Sequence, residues 1–194
     1  MSGHPTVEQF EVGDLNVSII SDDGCLVENP VEINGGMKLV QWHRDYGSNH
    51  DYESPDELKE YAEEKGAYLV PVYLYDHSGV AYSTSPFSCP WDSGQVGYLL
   101  MEPKIVQETK DHIGRETLCE SVRERLDSIA AGTVEEYSMW ANGEVYGYTI
   151  ERDGEEIDSC WGFIGMENCH KYAEEEAKGF LSSQAVEGGD EHAA

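Results

Sequence analysis

Three short polar blocks carry the side chains in this sequence that could do chemistry. Residues 42–52 read WHRDYGSNHDY, residues 75–79 read YDHSG and residues 87–97 read FSCPWDSGQVG. Between them they supply a thiol, imidazoles, carboxylates and a guanidinium. His77, Cys89 and Asp92 have the residue types of a thiolate–imidazole–carboxylate relay, a constellation defined by geometry and not by order along the chain. His43, Asp45, His50 and Asp51 are metal-capable, and Asp76 or His77 could join them. However, H-x6-H in a loop has no fixed geometry, unlike two histidines one turn apart on a helix. A non-catalytic reading fits the same residues: His77 at a hairpin tip, Pro90 stiffening a loop, Asp92 opening an Asx-type turn, and Phe87 and Trp91 plugging that loop into the core. If the chain is an enzyme, a small Cys/His or metal-dependent hydrolase, its catalytic set is His43, Arg44, Asp76, His77, Cys89 and Asp92.

Other signatures are missing. The sequence has no GxGxxG after a strand, no GxxxxGK[ST], no HExxH and no GxSxG, so nothing calls for a nucleotide or other cofactor. DSCWGF at 158–163 looks like the neighbourhood of a papain-like nucleophile, but Cys160 falls late in the chain and inside a strand pattern. The order of the downstream His and Asn is also wrong, so the likeness is chance. As a strand, that stretch puts Cys160, Gly162 and Ile164 on one face and Trp161 and Phe163 on the other.

The elements that must hold these blocks can be read from patterning. Leu15–Ser21 alternates as a strand, and another is expected over 37–42. Ser54-Pro55 followed by Glu57 is a helix start, with Gly66 as its end. Residues 67–75 (AYLVPVYLY) read as an inner strand, although Pro71 removes a ladder donor and points to an edge or bulge. DHSG then turns the chain into VAYSTS, and Gln95–Met101 forms a further strand. Helices are expected near 104–112, 116–130, 133–141 and 167–182. Asp153-Gly154 closes a second hairpin, 144–151 with 156–165. The sum is an α+β domain over 14–183, with a mainly antiparallel sheet built from hairpins and helices on one face or at its ends. Residues 1–13 and 184–194 read as flexible polar ends.

The 194 residues carry 39 acids against 12 Lys and Arg, a net charge of −27. The imbalance is even: 17 acids to 4 bases in residues 1–97, and 22 to 8 in residues 98–194. Direct nucleic-acid binding is excluded, because phosphate contacts need clustered Lys and Arg. Two functional explanations remain: imitation of nucleic-acid charge toward a protein that binds it, or adaptation to a saline cytoplasm. Exposed rows such as Glu60, Glu63, Glu64 and Glu174, Glu175, Glu176 are the expected interaction surface. Five scattered cysteines suit reduced thiols in an intracellular chain, and no apolar run is long enough to span a membrane.

Together the blocks NGGMKLVQWHRDYGSNHDYESPDEL, LVPVYLYDHSGVAYSTSPFSCPWDSGQVGYLLM and EVYGYTIERDGEEIDSCWGFIG resemble a family of small acidic proteins of bacteriophages, archaeal viruses and mobile elements. The likeness covers most of residues 34–165, and the family has no established activity. It implies a viral or mobile-element origin and a role inside the host cell. With the charge, it makes an acidic inhibitor of a host defence or other nucleic-acid-binding protein the leading expectation.

Overall fold

The computed structural model describes residues 4–33, 35–48, 50–77 and 79–187. In chain order the elements are β1 (Thr6–Val12), β2 (Leu15–Ser21), α1 (Pro30–Ile33), β3 (Met37–Gln41), α2 (Pro55–Lys65), β4 (Tyr68–Asp76) and β5 (Val80–Ser83). They continue with β6 (Ser93–Met101), α3 (Pro103–Ile113), α4 (Glu120–Ala141), β7 (Val145–Arg152), β8 (Glu155–Ile164) and α5 (Met166–Glu187). The class is α+β, as the patterning predicts, but the strands form two four-stranded antiparallel sheets, β1-β2-β7-β8 and β3-β6-β4-β5.

Two compact units divide the chain where the sequence reads as one domain. The first takes residues up to Val27 and from Gly143 onward, and the second is Glu28–Asn142. The second unit is therefore an insertion between β2 and β7. No change of composition announces it, because the crossings at 27–28 and 142–143 look like ordinary turns.

In the first unit, α5 covers one face of its sheet. Cys169, Ala173 and Ala177 recur every four residues and lie against Leu15, Val17, Ile19, Tyr148 and Ile150, all buried. Small residues on that stripe let the helix approach the strands closely. The β7–β8 turn is the expected Asp153-Gly154, with both residues at positive φ (53° and 84°), the geometry that matches strand twist. The polar stretch over residues 6–12 is not a frayed end but edge strand β1: Phe10 and Val12 pack on the core while Glu8 pairs with His170 at 3.0 Å. An edge strand needs apolar residues on one face only, so it reads as polar. Likewise β8 does not keep the simple alternation expected of it. Its register slips between Tyr146 and Tyr148, Gly162 sits at φ +87°, and Cys160 and Trp161 are both exposed.

The second unit positions the three polar blocks. Its sheet carries α4 on one face, where Val122, Leu126, Ala130 and Val134 meet Leu39, Val70, Val72, Leu74 and Leu99. On the other face Leu58 of α2 meets Val40 and Leu100. Helix α2 starts and stops as its sequence dictates: Ser54 Oγ accepts from the Glu57 N–H, and Gly66 closes it in the left-handed region. The two helices expected over 116–141 are one 22-residue helix from Glu120, since Gly132 lies inside it and its apolar stripe runs through. Pro71 is accommodated because β5 pairs only with Tyr73–Asp76, leaving β4 with a single neighbour at that point.

Strand β6 runs between β3 and β4, and Gly97 lies where the three come closest. A Cβ there would sit 2.0 Å from the Val40 carbonyl oxygen. Gly97→Ala is expected to lower stability by about 3 kcal/mol or more, the top of the overpacking range, because the neighbour is backbone. Gly94→Ala in the same strand has open space around its Cβ and should change stability by less than about 0.5 kcal/mol. Urea unfolding midpoints of the two variants check this.

Candidate functional site

The direction of the strands decides where the polar blocks go. β3 ends at Gln41, β4 ends at Asp76, and β5 and β6 begin at Val80 and Ser93. Register pairs Gln41 with Gly97, Tyr75 with Ser93 and Asp76 with Val80. All three loops therefore leave from one end of the sheet. The Asp76 N–H also donates to the Asp92 carbonyl at 2.9 Å, which extends the ladder by one step.

Residues from all three blocks line one cleft of about 370 Å³: His43 from the first, Asp76 from the second, and Trp91, Asp92 and Gln95 from the third. A second depression of about 340 Å³ shares His43, Gln95 and Val96 with it and is bounded by Trp42, Pro55 and Tyr98. His43 is held from both sides. Its ring stacks on Tyr46 with centroids 5.1 Å apart, and its Nδ1 accepts from the Asp45 N–H at 3.2 Å. That bond makes Nδ1 the acceptor, so the ring proton of the neutral form lies on Nε2. Tyr46 is pushed up from its ordinary phenol range by burial and by the nearby Asp76 carboxylate.

Of the six residues of the catalytic set, five gather at this end and one does not. The Cys89 thiol donates to Asp92 Oδ2 at 3.5 Å, and His77 Nδ1 lies 3.9 Å from the same oxygen. Arg44 turns outward and clasps the Asp45 carboxylate of the next residue, with its side chain 89% exposed. The order of contacts matters for chemistry. A thiol nucleophile needs the imidazole on its sulfur, with the carboxylate behind the imidazole. Here the carboxylate stands in the middle and receives both partners, so this arrangement orients a loop and is not a relay.

Metal ligation finds no support in the described residues, where no three His, Cys, Asp or Glu side chains gather as a metal-holding group. His50 belongs to an aromatic box instead, edge-on to Trp42 at 5.0 Å and near Tyr52, with Nε2 at 3.2 Å from the Gln41 carbonyl. Trp42 anchors the same loop by donating to the Tyr52 carbonyl at 3.3 Å.

The clearest correction concerns Trp91. It does not plug the loop into the core: it is 92% exposed, on the rim of the cleft. Phe87 alone takes the packing role, with its ring 5.7 Å from that of Tyr75. The acidic rows lie partly as expected: Glu60, Glu63, Glu64 and Glu175 are exposed, while Glu174 and Glu176 are half-buried beside α5 neighbours. Glu64 pairs with Lys65 at 2.6 Å and Glu174 with Lys178 at 2.7 Å.

All five cysteines are free thiols, and their surroundings differ. Cys119, preceding α4, is held below the ordinary thiol range by the Ser121 hydroxyl, the Val122 N–H at the helix start and Arg115. Cys25 is pushed up by the Asp23 carboxylate beside it, and buried Cys169 is pushed up to about 12. A lowered pKa means more thiolate at neutral pH. Iodoacetamide at pH 7 should therefore label Cys119 before Cys25, and Cys169 last. The gap between Cys119 and Cys25 should narrow as pH rises through the thiol range, read by peptide mass spectrometry of quenched time points.

Comparison of the chain with protein-family models, with curated proteins and with solved structures finds no match. Among the described residues no helix is long and apolar enough to cross a membrane.

Proposed function

We propose that this chain acts by binding, as a viral or mobile-element protein whose acidic surface occupies the nucleic-acid site of a host protein. One observation carries the reading: the charge imbalance survives local pairing. Seven of the 12 Lys and Arg already face an acid in an ion pair, at Lys38, Arg44, Lys59, Lys65, Lys104, Arg152 and Lys178. These pairs take up only seven of the 39 acids, so a large excess of carboxylate is left for a basic partner. Both units contribute, through Glu60 and Glu63 on α2 and Glu175 on α5. Along α2 the acids recur at steps of three to four residues, a rise of about 4.5–6 Å per step. That is the same order as the roughly 3.4 Å axial rise per phosphate of a DNA strand. Such a field speeds encounter with a cationic surface and disfavours nucleic acid itself. The resemblance of the polar blocks to phage and archaeal-virus proteins supports a host factor, such as a defence protein, as the target.

A hydrolase reading draws on the convergence of His43, Asp76, His77, Cys89 and Asp92. It requires His77 to leave Asp92 for the Cys89 sulfur, and the binding reading requires no rearrangement.

The test is capture from host extract on the immobilised chain at physiological salt, followed by elution with a DNA duplex. The expected result is that DNA releases a small set of nucleic-acid-binding proteins that an equally acidic unrelated protein does not retain. Recovery of the same proteins on both columns, or of none that DNA displaces, contradicts it. The latter is the result expected if the acids serve only salt tolerance.

A further inference from the structure

We propose that the cleft lined by His43, Asp76, Trp91, Asp92 and Gln95 receives an arginine side chain of the protein partner. This rests on the binding reading above and gives it a centre. Three observations meet at the cleft. First, two carboxylates, Asp76 and Asp92, line one cleft, and among the described residues neither forms an ion pair with Lys or Arg. Second, a tryptophan that lines the same cleft stands 92% exposed. An indole face next to unpaired carboxylates suits a cation that is also planar, because guanidinium stacks on the ring while its fork of N–H groups reaches the acids. Lysine can answer the charge but has no plane to stack and no fork. Third, the volume of about 370 Å³ lies within the range of about 300–1,000 Å³ in which small ligands and side chains are enclosed.

The backbone makes the arrangement rigid where it needs to be. The main chains of Asp76 and Asp92 are joined by the 2.9 Å bond from the Asp76 N–H to the Asp92 carbonyl, which ties the loop before β6 to the end of β4. The Cys89 thiol donates to Asp92 Oδ2, and His77 Nδ1 lies 3.9 Å from the same oxygen. Tryptophan and arginine are the residues that most often dominate binding energy at interfaces, and an exposed Trp beside a depression is the form such an anchor takes before its partner arrives.

The experiment titrates the full chain with hexa-arginine and, separately, hexa-lysine at 150 mM salt, read by calorimetry and by indole fluorescence. The expected result is tighter binding of hexa-arginine, by about tenfold, with Trp91→Ala and Asp92→Asn each weakening it by about tenfold. Glu175→Gln, outside the cleft lining and equal to Asp92→Asn in charge change, should leave it within twofold. Trp91 packs on little, so Trp91→Ala folds as the parent does, and unfolding curves verify this. If both peptides bind equally and Asp92→Asn weakens binding no more than Glu175→Gln, the cleft proposal falls while the general acidic-surface reading stands. If neither peptide binds, both fall.

Discussion

The second unit depends on one close backbone approach. Strand β6 is wedged between β3 and β4, and Gly97 brings its main chain so near Val40 that a single added carbon would sit on the carbonyl oxygen. That approach sets the register on both sides. Once Gln41 lies opposite Gly97 and Tyr75 opposite Ser93, the ends of β3 and β4 and the start of β6 must lie together. The convergence of His43, Asp76 and Asp92 on one cleft therefore follows from hydrogen-bond register, and needs no contact among the loops themselves. A bulge between Val72 and Tyr73 shifts the pairing beyond Gly97 and makes room at the mouth.

The chemistry at that mouth is governed by which group stands in the middle. A carboxylate placed between a thiol and an imidazole holds both of them and activates neither. The same carboxylate lines a cleft together with Asp76 and the exposed indole of Trp91, a set of groups suited to a cation. In a chain of net charge −27 the distinctive feature of this spot is not the number of acids. It is that two of them line one cleft together with an exposed indole.

Local elements were legible in the sequence wherever a local rule decides them. Ser54-Pro55 and Gly66 bound α2, and Asp153-Gly154 closes β7–β8, because caps and tight turns depend on a few adjacent residues. Edge strand β1 was hidden, since one buried face leaves a segment such as TVEQFEV looking polar, and the expected break between residues 130 and 133 is overridden by the continuous stripe of α4. The division into two units was not legible either, because long-range pairing of β2 with β7 is what sets it. At the site, the residue types were readable, whereas the grouping of the three blocks is set by strand register. The outward turn of Arg44 and the exposure of Trp91 were not readable, since both turn on whether a neighbour is present: Arg44 has Asp45 at hand, and Trp91 has no core within reach.

Amide hydrogen exchange of the chain, free and in complex with the partner that DNA displaces, tests the central claim most directly. The account predicts that protection on binding appears together at residues 42–46, 75–77 and 89–95, three segments remote in sequence but adjacent at one end of the sheet. Protection spread over α2 and α5 in proportion to their acids, with none at those three segments, would contradict it.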